Sequence, residues 1–237
     1  MDLPFSLEEF LAVFRAYNES VWPAQIVLVA VAVVSVLLAA SRRRFSARVV
    51  LILLALLWIW MAVVYFWSHF ATINPIAPQL AVMFGVQALL FLFVAIRSGG
   101  LSFSVRPDAS GIVGGGLMLY ALVLYPILGW MIGHHYPAAP TFGLPCPTVI
   151  FTLGLLLWLD RGAPVRLMVI PWLWAVVGTS AAIRLGMFED LGLTLAAVVT
   201  IGLAIGRLVG TASHREGTEQ GHGPEMTLDR EPLLHKS

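Results

Sequence analysis

Charge is scarce in this chain. Asp, Glu, Lys and Arg together make up 11% of its 237 residues, against roughly 25% in a water-soluble domain. Lysine occurs once, at Lys236 near the C-terminal end, so a retinal-type chromophore held by an intramembrane lysine is excluded. The net charge of +1 carries no basic excess with which to bind nucleic acid. Cysteine also occurs once, at Cys146. No intramolecular disulfide can form, and neither a CxxC nor a Cys/His zinc spacing exists. A basic start is missing as well: Asp2, Glu8 and Glu9 precede the first arginine, Arg15. A secretory signal opens with positive charge, so the first apolar stretch is expected to belong to the mature protein.

What the chain has instead is apolar length. Hydrophobic residues reach 59% and the mean hydropathy is +0.88. A hydrocarbon core of about 30 Å needs roughly 20 helical residues. Seven segments approach that length, at 22–40, 49–70, 78–96, 110–132, 142–159, 167–185 and 190–209. The expected fold is an all-α membrane protein, a seven-span bundle over 22–210 with the lipid bilayer as its first partner. Trp22, Trp67, Trp130 and Trp158 stand at segment ends, where interfacial anchors belong.

Ahead of the bundle, residues 1–21 read as an amphipathic helix lying in the membrane interface. Ser6 and Glu9 have capping-box spacing, and Leu7, Phe10, Leu11, Phe14, Tyr17 and Val21 recur at helical intervals. Residues 211–237 are polar and mixed in charge, which reads as a disordered cytoplasmic tail. Its DREPLL at 229–234 fits an acidic dileucine sorting pattern.

Basic residues set the orientation. Arg42, Arg43, Arg44, Arg48, Arg97, Arg106, Arg161, Arg166, Arg207, Arg215, Arg230 and Lys236 fall on one side of the seven-span arrangement, and only Arg15 and Arg184 on the other. The positive-inside rule then places the N-terminus outside and the C-terminus in the cytoplasm of a plasma membrane. Gly111 with Gly115, and Gly202 with Gly206 and Gly210, keep the small-xxx-small spacing of close helix contacts, within the chain or in a homo-oligomer. Pro126 and Pro171 are expected to kink spans four and six.

Polar side chains collect on the outer side: Asn18, Glu19 and Gln25 before span one, His69, Asn74 and Gln79 in the second outer loop, and His134, His135, Tyr136, Thr141, Cys146 and Thr148 in the third. Arg184 with Glu189 and Asp190 reads as a structural ion pair closing the last hairpin. The span interiors lack Asp, Glu, Lys and His in this arrangement, which argues against a proton-driven pump. His69, His134 and His135 are the candidate metal or haem ligands, and no other cofactor is indicated.

The stretch His134–Thr148, HHYPAAPTFGLPCPT, interrupts this apolar pattern with four prolines. Proline removes a donor and restricts its predecessor, so regular helix is expected only from Pro147. About 13 residues then remain before Asp160, roughly 20 Å. Non-helical backbone at that depth must be buried in protein or line a cavity, which points to an outward-facing pocket floored by Thr141–Thr148. A rigid plug is the plainer alternative.

LPFSLEEFLAVFRAYNESVWPAQ at the start, INP at 73–75, YPILGWMIGHHYPAAPTFGLPCPTVIFTLG at 125–154 and FEDLGL at 188–193 together resemble a family of bacterial integral membrane proteins known as domain of unknown function 6064. The resemblance implies membrane location and a bacterial source, and no activity, substrate or site residue. Alkaline-ceramidase-like hydrolases are disfavoured, since the last span has no HxxxH pair. Three readings follow: binding or transport of a small molecule or ion through the outward pocket, a non-catalytic structural or partner-binding subunit, and an intramembrane metal-dependent enzyme using His69, His134, His135 and Glu19.

Overall fold

The computed structural model describes residues 4–41, 43, 45–97, 101–160 and 162–220. All regular structure among them is helical; the only β pairings are isolated bridges, Phe103 with Leu159 and Phe142 with Leu144. The main helices are α1 (Leu7–Val21), α2 (Ala24–Ala40), α3 (Ser46–Trp60), α4 (Ala77–Ile96), α5 (Ala109–Leu119), α6 (Tyr125–Met131), α7 (Pro145–Leu156), α8 (Val169–Leu185) and α9 (Leu191–Gln220).

Among the described residues, five stretches are long and apolar enough to cross a bilayer: Ser46–Thr72, Ala77–Ile96, Ala109–Met131, Val165–Leu185 and Phe188–Arg207. α1 and α2 meet the same test only as one unit bent by 87°. The bend falls at Trp22-Pro23, where proline cannot continue the hydrogen-bond ladder. α1 is N-capped as the sequence predicts, Ser6 accepting from the Glu9 N–H while Glu9 accepts from Ser6. Its Val13, Phe14, Tyr17 and Asn18 are buried against the bundle, so the amphipathic face is covered by protein. α9 continues as helix to Gln220, into the stretch read as tail; 221–237, with DREPLL, lies outside the described residues.

Two spans carry π-helical turns. Pro126 has no N–H to offer the turn before it, and Tyr120–Leu124 widens there, the Tyr125 N–H bonding Tyr120 O. Met61–Trp67 is π-helical too. There the Ser68 hydroxyl reaches Val63 O at 2.9 Å and His69 Nδ1 lies 2.7 Å from Val64 O, so side chains complete the frayed end of the ladder. Pro171 departs from expectation: α8 begins at Val169, which puts the proline in the first turn, where its missing N–H breaks no helical bond.

α7 is the centre of the bundle. Every residue of it except the half-buried Cys146 is buried. Its 12 residues rise about 18 Å, well short of a 30 Å crossing. Helix starts at Pro145, two residues before the expected point, because the first four N–H groups of a helix have no internal partner and both prolines fall among them. Close packing of α5 on α7 runs through Gly114 and Gly154: a Cβ on either would come within 2.7 or 2.8 Å of the other's carbonyl oxygen. Among the described residues nothing lies within 4 Å of a Cβ built at Gly202 or Gly206, where close contacts were expected; the side-chain position at Gly210 lies outside the description.

The two ends of the bundle are built differently. At one end Ser104 N–H bonds Trp158 O, Asp160 N–H bonds Ser102 O, and Arg106 reaches Asp160 O at 2.7 Å, tying residues 102–106 to 158–160. The other end gathers α1, the 68–76 and 132–144 connections and the α8–α9 turn.

Candidate functional site

Asn18 organises that second end. It is fully buried, and its amide Nδ2 donates to Pro137 O at 2.6 Å and Ala139 O at 2.8 Å. Its Oδ1 accepts from Thr141 Oγ1 at 2.7 Å and from Gln25 Nε2 at 3.2 Å. One side chain at the end of α1 thus satisfies the irregular, proline-broken backbone of the third connection (residues 132–144), which buried non-helical chain requires. Gly143 follows at φ +100, packed so tightly against Leu28 and the Tyr17 hydroxyl that a Cβ would collide at 2.4 Å. Its N–H is capped by Thr148 Oγ1 at 3.1 Å. Trp60 Nε1 donates to Tyr17 Oη at 2.7 Å, fixing α1 to α3.

The acids of the α8–α9 turn point inward. Glu189 and Asp190 are 1% and 4% exposed, within the span that runs Phe188–Arg207. Both acids were expected in the last outer hairpin; they sit at the start of that stretch, and a tight 3-10 turn at Phe188–Asp190 buries both side chains. His134 Nδ1 faces Glu189 Oε1 at 2.6 Å, and Tyr120 donates to Glu189 O at 2.7 Å. Glu189 Oε2 is buried without a hydrogen-bond partner. Asp190 Oδ1 accepts from the Tyr125 hydroxyl at 2.5 Å, and the Cys146 thiol lies beside the same carboxylate.

Two cavities flank this cluster. The first, about 330 Å³, is walled by Phe5, Phe10, Phe14, Tyr65 and Phe70 on one side and by α8 from Trp174 to Leu185 on the other. Its floor carries Asp190, Tyr125 and Cys146. Trp174 Nε1 is buried there with no hydrogen-bond partner. The second, about 490 Å³, lies between α2, α6 and the third connection and is lined by Gln25, His134, Tyr136 and Thr141. Gln25 turns its Nε2 to Asn18, leaving Oε1 buried and unpartnered. Tyr125 and Pro140 line both cavities and form the partition between them.

The residues singled out in the sequence thus separate into groups. Asn74 and Cys146 line the first cavity; Gln25, His134, Tyr136 and Thr141 line the second. Thr148 is buried in the frame of α7. His69 stands apart, bonded to Ser20 Oγ at 2.9 Å and stacked edge-on against Tyr17. His135 is exposed beside Trp130, and Glu19, Gln79 and Arg184 are exposed. Among the described residues no three His, Cys, Asp or Glu side chains converge as a metal site. Tyr125, Trp174 and Pro140 escaped the sequence reading. Aromatic and proline residues in an apolar run carry no pattern that separates cavity lining from core; only the adjacency of Tyr125 to the span-breaking Pro126 hinted at it.

The model of a family described as of unknown function, DUF6064, matches residues 7–215. No curated protein and no solved structure matches the chain.

Proposed function

Because the match covers most of the chain, the protein belongs to that family of unknown function, and we propose from its own geometry that it binds a small molecule in the first cavity. A single observation carries this reading. A space of about 330 Å³ among aromatic side chains ends on a buried carboxylate, a thiol and an indole N–H that no oxygen or nitrogen of the described residues satisfies. Ligand sites are apolar concavities with a few convergent polar groups, and buried polar groups without partners are costly unless something supplies them.

In this reading the chain makes seven transits of the plasma membrane, with the N-terminus and the cavity end outside. The concentration of arginine at the opposite end supports that orientation. The transit through the third connection is completed by irregular backbone feeding the short α7, tolerated because Asn18 and the surrounding helices satisfy it. One wall of the cavity, α1, is joined to α2 through a bend and held to the bundle by Asn18 and Tyr17.

Cys146 makes the reading testable, since it is the sole cysteine and lines the cavity. Intact cells are treated with a small membrane-impermeant methanethiosulfonate and, separately, with a bulky maleimide. Labelling by the small reagent alone is expected. Labelling only after the cytoplasmic side is opened overturns the orientation, and no labelling under either condition overturns an accessible cavity.

A further inference from the structure

Resting on the cavity reading above, we propose that its occupant is a short amino-alcohol amphiphile, with the ammonium against Asp190, the hydroxyl oxygen at Trp174 Nε1 and the alkyl chain along the aromatic wall. Each part of that description answers a separate feature of the chamber.

The charge comes from the floor. Asp190 is 4% exposed and accepts from one neutral donor, the Tyr125 hydroxyl, with the Cys146 thiol beside it. A carboxylate offers about four acceptor positions, so it has capacity left on the cavity side. Its charged surroundings are Glu189, of the same sign, and His134, which is turned to Glu189. An anionic headgroup meets repulsion at this floor, and a cation meets attraction. The rings of Phe10, Phe14, Tyr65, Phe70 and Trp174 around the space reinforce that preference, because aromatic faces attract ammonium groups.

The oxygen comes from the indole. Trp174 Nε1 is a donor only, buried, and meets no oxygen or nitrogen acceptor among the described residues; the Cys146 sulfur beside it on the same floor is a weak acceptor. A protonated amine cannot accept from it, whereas a hydroxyl on the neighbouring carbon can. The chain length comes from the volume. About 330 Å³ lies near the lower limit of ligand pockets, roughly 300–1,000 Å³. One short alkyl chain fits that space and a two-chain lipid does not.

The experiment uses the full chain in lipid nanodiscs and follows the rate at which methyl methanethiosulfonate modifies Cys146, read by intact mass. Octanol, octylamine and 2-amino-1-octanol are compared at equal membrane concentration. The amine is expected to slow modification at lower concentration than the alcohol by about tenfold or more, the amount one hydrogen bond to a charged group supplies. The amino alcohol is expected to be more potent again by a few-fold. Asp190→Asn should abolish the advantage of the amine over the alcohol, and Trp174→Phe should abolish only the added advantage of the hydroxyl. Protection is scored as a ratio within each variant, so altered thiol reactivity cancels. Equal potency of alcohol and amine on the unmodified protein overturns the proposal without any variant having to fold, and so does an amino alcohol no better than the amine. If Cys146 reacts but the alcohol protects as well as the others, the cavity reading stands and only the ligand class falls. If Cys146 never reacts, the cavity reading itself fails.

Discussion

His134 Nδ1 and Glu189 Oε1 lie 2.6 Å apart although 55 residues separate them in the chain, and they fasten the third connection to the α8–α9 turn. Glu189 is 1% exposed, so removing its partner leaves a carboxyl group buried without support. That change costs about 3–5 kcal/mol in a buried pair. For a chain of this size the melting temperature should fall by roughly 6–20 °C in His134→Ala. His135→Ala, at an exposed position, should change it by little. In a double-mutant cycle, adding Glu189→Gln to His134→Ala should cost far less than Glu189→Gln alone, and additive losses would rule out a coupled pair.

Asn18 gives a second test. Asn18→Asp keeps the shape but replaces the donating amide with a group that cannot donate when ionised. Pro137 O and Ala139 O would then face a carboxylate instead of an N–H. Asn18→Ala loses the donors too, leaving two carbonyls without their partner at about 1–3 kcal/mol each when buried. Both variants should loosen residues 132–144, and limited proteolysis of right-side-out membranes should show new cleavage there. Asn18→Asp should be the worse of the two at neutral pH. Unchanged cleavage would show that the connection holds its shape without α1.

The helical class, the capping box and the short seventh helix were legible in the sequence because each rests on a local cue: apolar length, the Ser6/Glu9 spacing, and Pro145 and Pro147. The inward turn of Glu189 and Asp190 was not. Charged residues beside a span read as loop by composition, and only the tertiary partners His134, Tyr125 and Cys146 reveal that they are buried. A pocket was expected over Thr141–Thr148; the first cavity touches that stretch only at Leu144–Pro147, and its walls come from α1 and α8, which no local pattern joins. The glycine contacts differed for a similar reason. Gly111 and Gly115 were chosen by spacing within one helix and both meet Trp158, but the closest backbone approach is set by the facing helix, at Gly114 and Gly154.

The start of α1 should respond to acid. Glu9 has its carboxyl held below the ordinary range, first by the Ser6 backbone N–H and then by the Ser6 hydroxyl. A depressed folded value means that the contribution is present above the unfolded value and is lost as pH falls through the folded one. Hydrogen exchange at residues 6–10 should therefore quicken, after correction for its intrinsic pH dependence, as the pH drops below the usual carboxylate range. In Glu9→Gln, which keeps the capping geometry without a titrating group, that dependence should disappear. A persistent acid transition in the variant would assign it to another residue.

The glycines offer the sharpest contrast, because neighbours in one helix should respond with opposite sign. In Gly114→Ala the new methyl meets the Gly154 carbonyl oxygen at 2.7 Å and the Trp158 ring at 2.8 Å. Backbone cannot yield as a flexible side chain does, so α5 and α7 must separate. Overpacking of this kind typically costs about 1–3 kcal/mol. The damage should spread, because Trp158 Nε1 also bonds Gly111 O at 3.0 Å from the same face. Gly116 is two residues along and turned away, with nothing within 4 Å of its Cβ position. Gly116→Ala therefore meets no obstacle and gains the helix preference of alanine, about 0.5–1 kcal/mol. Thermal unfolding in one detergent should place Gly114→Ala below the unmodified protein and Gly116→Ala at or above it. Equal behaviour of the two would mean that α5 does not pack on α7 through the Gly114 face.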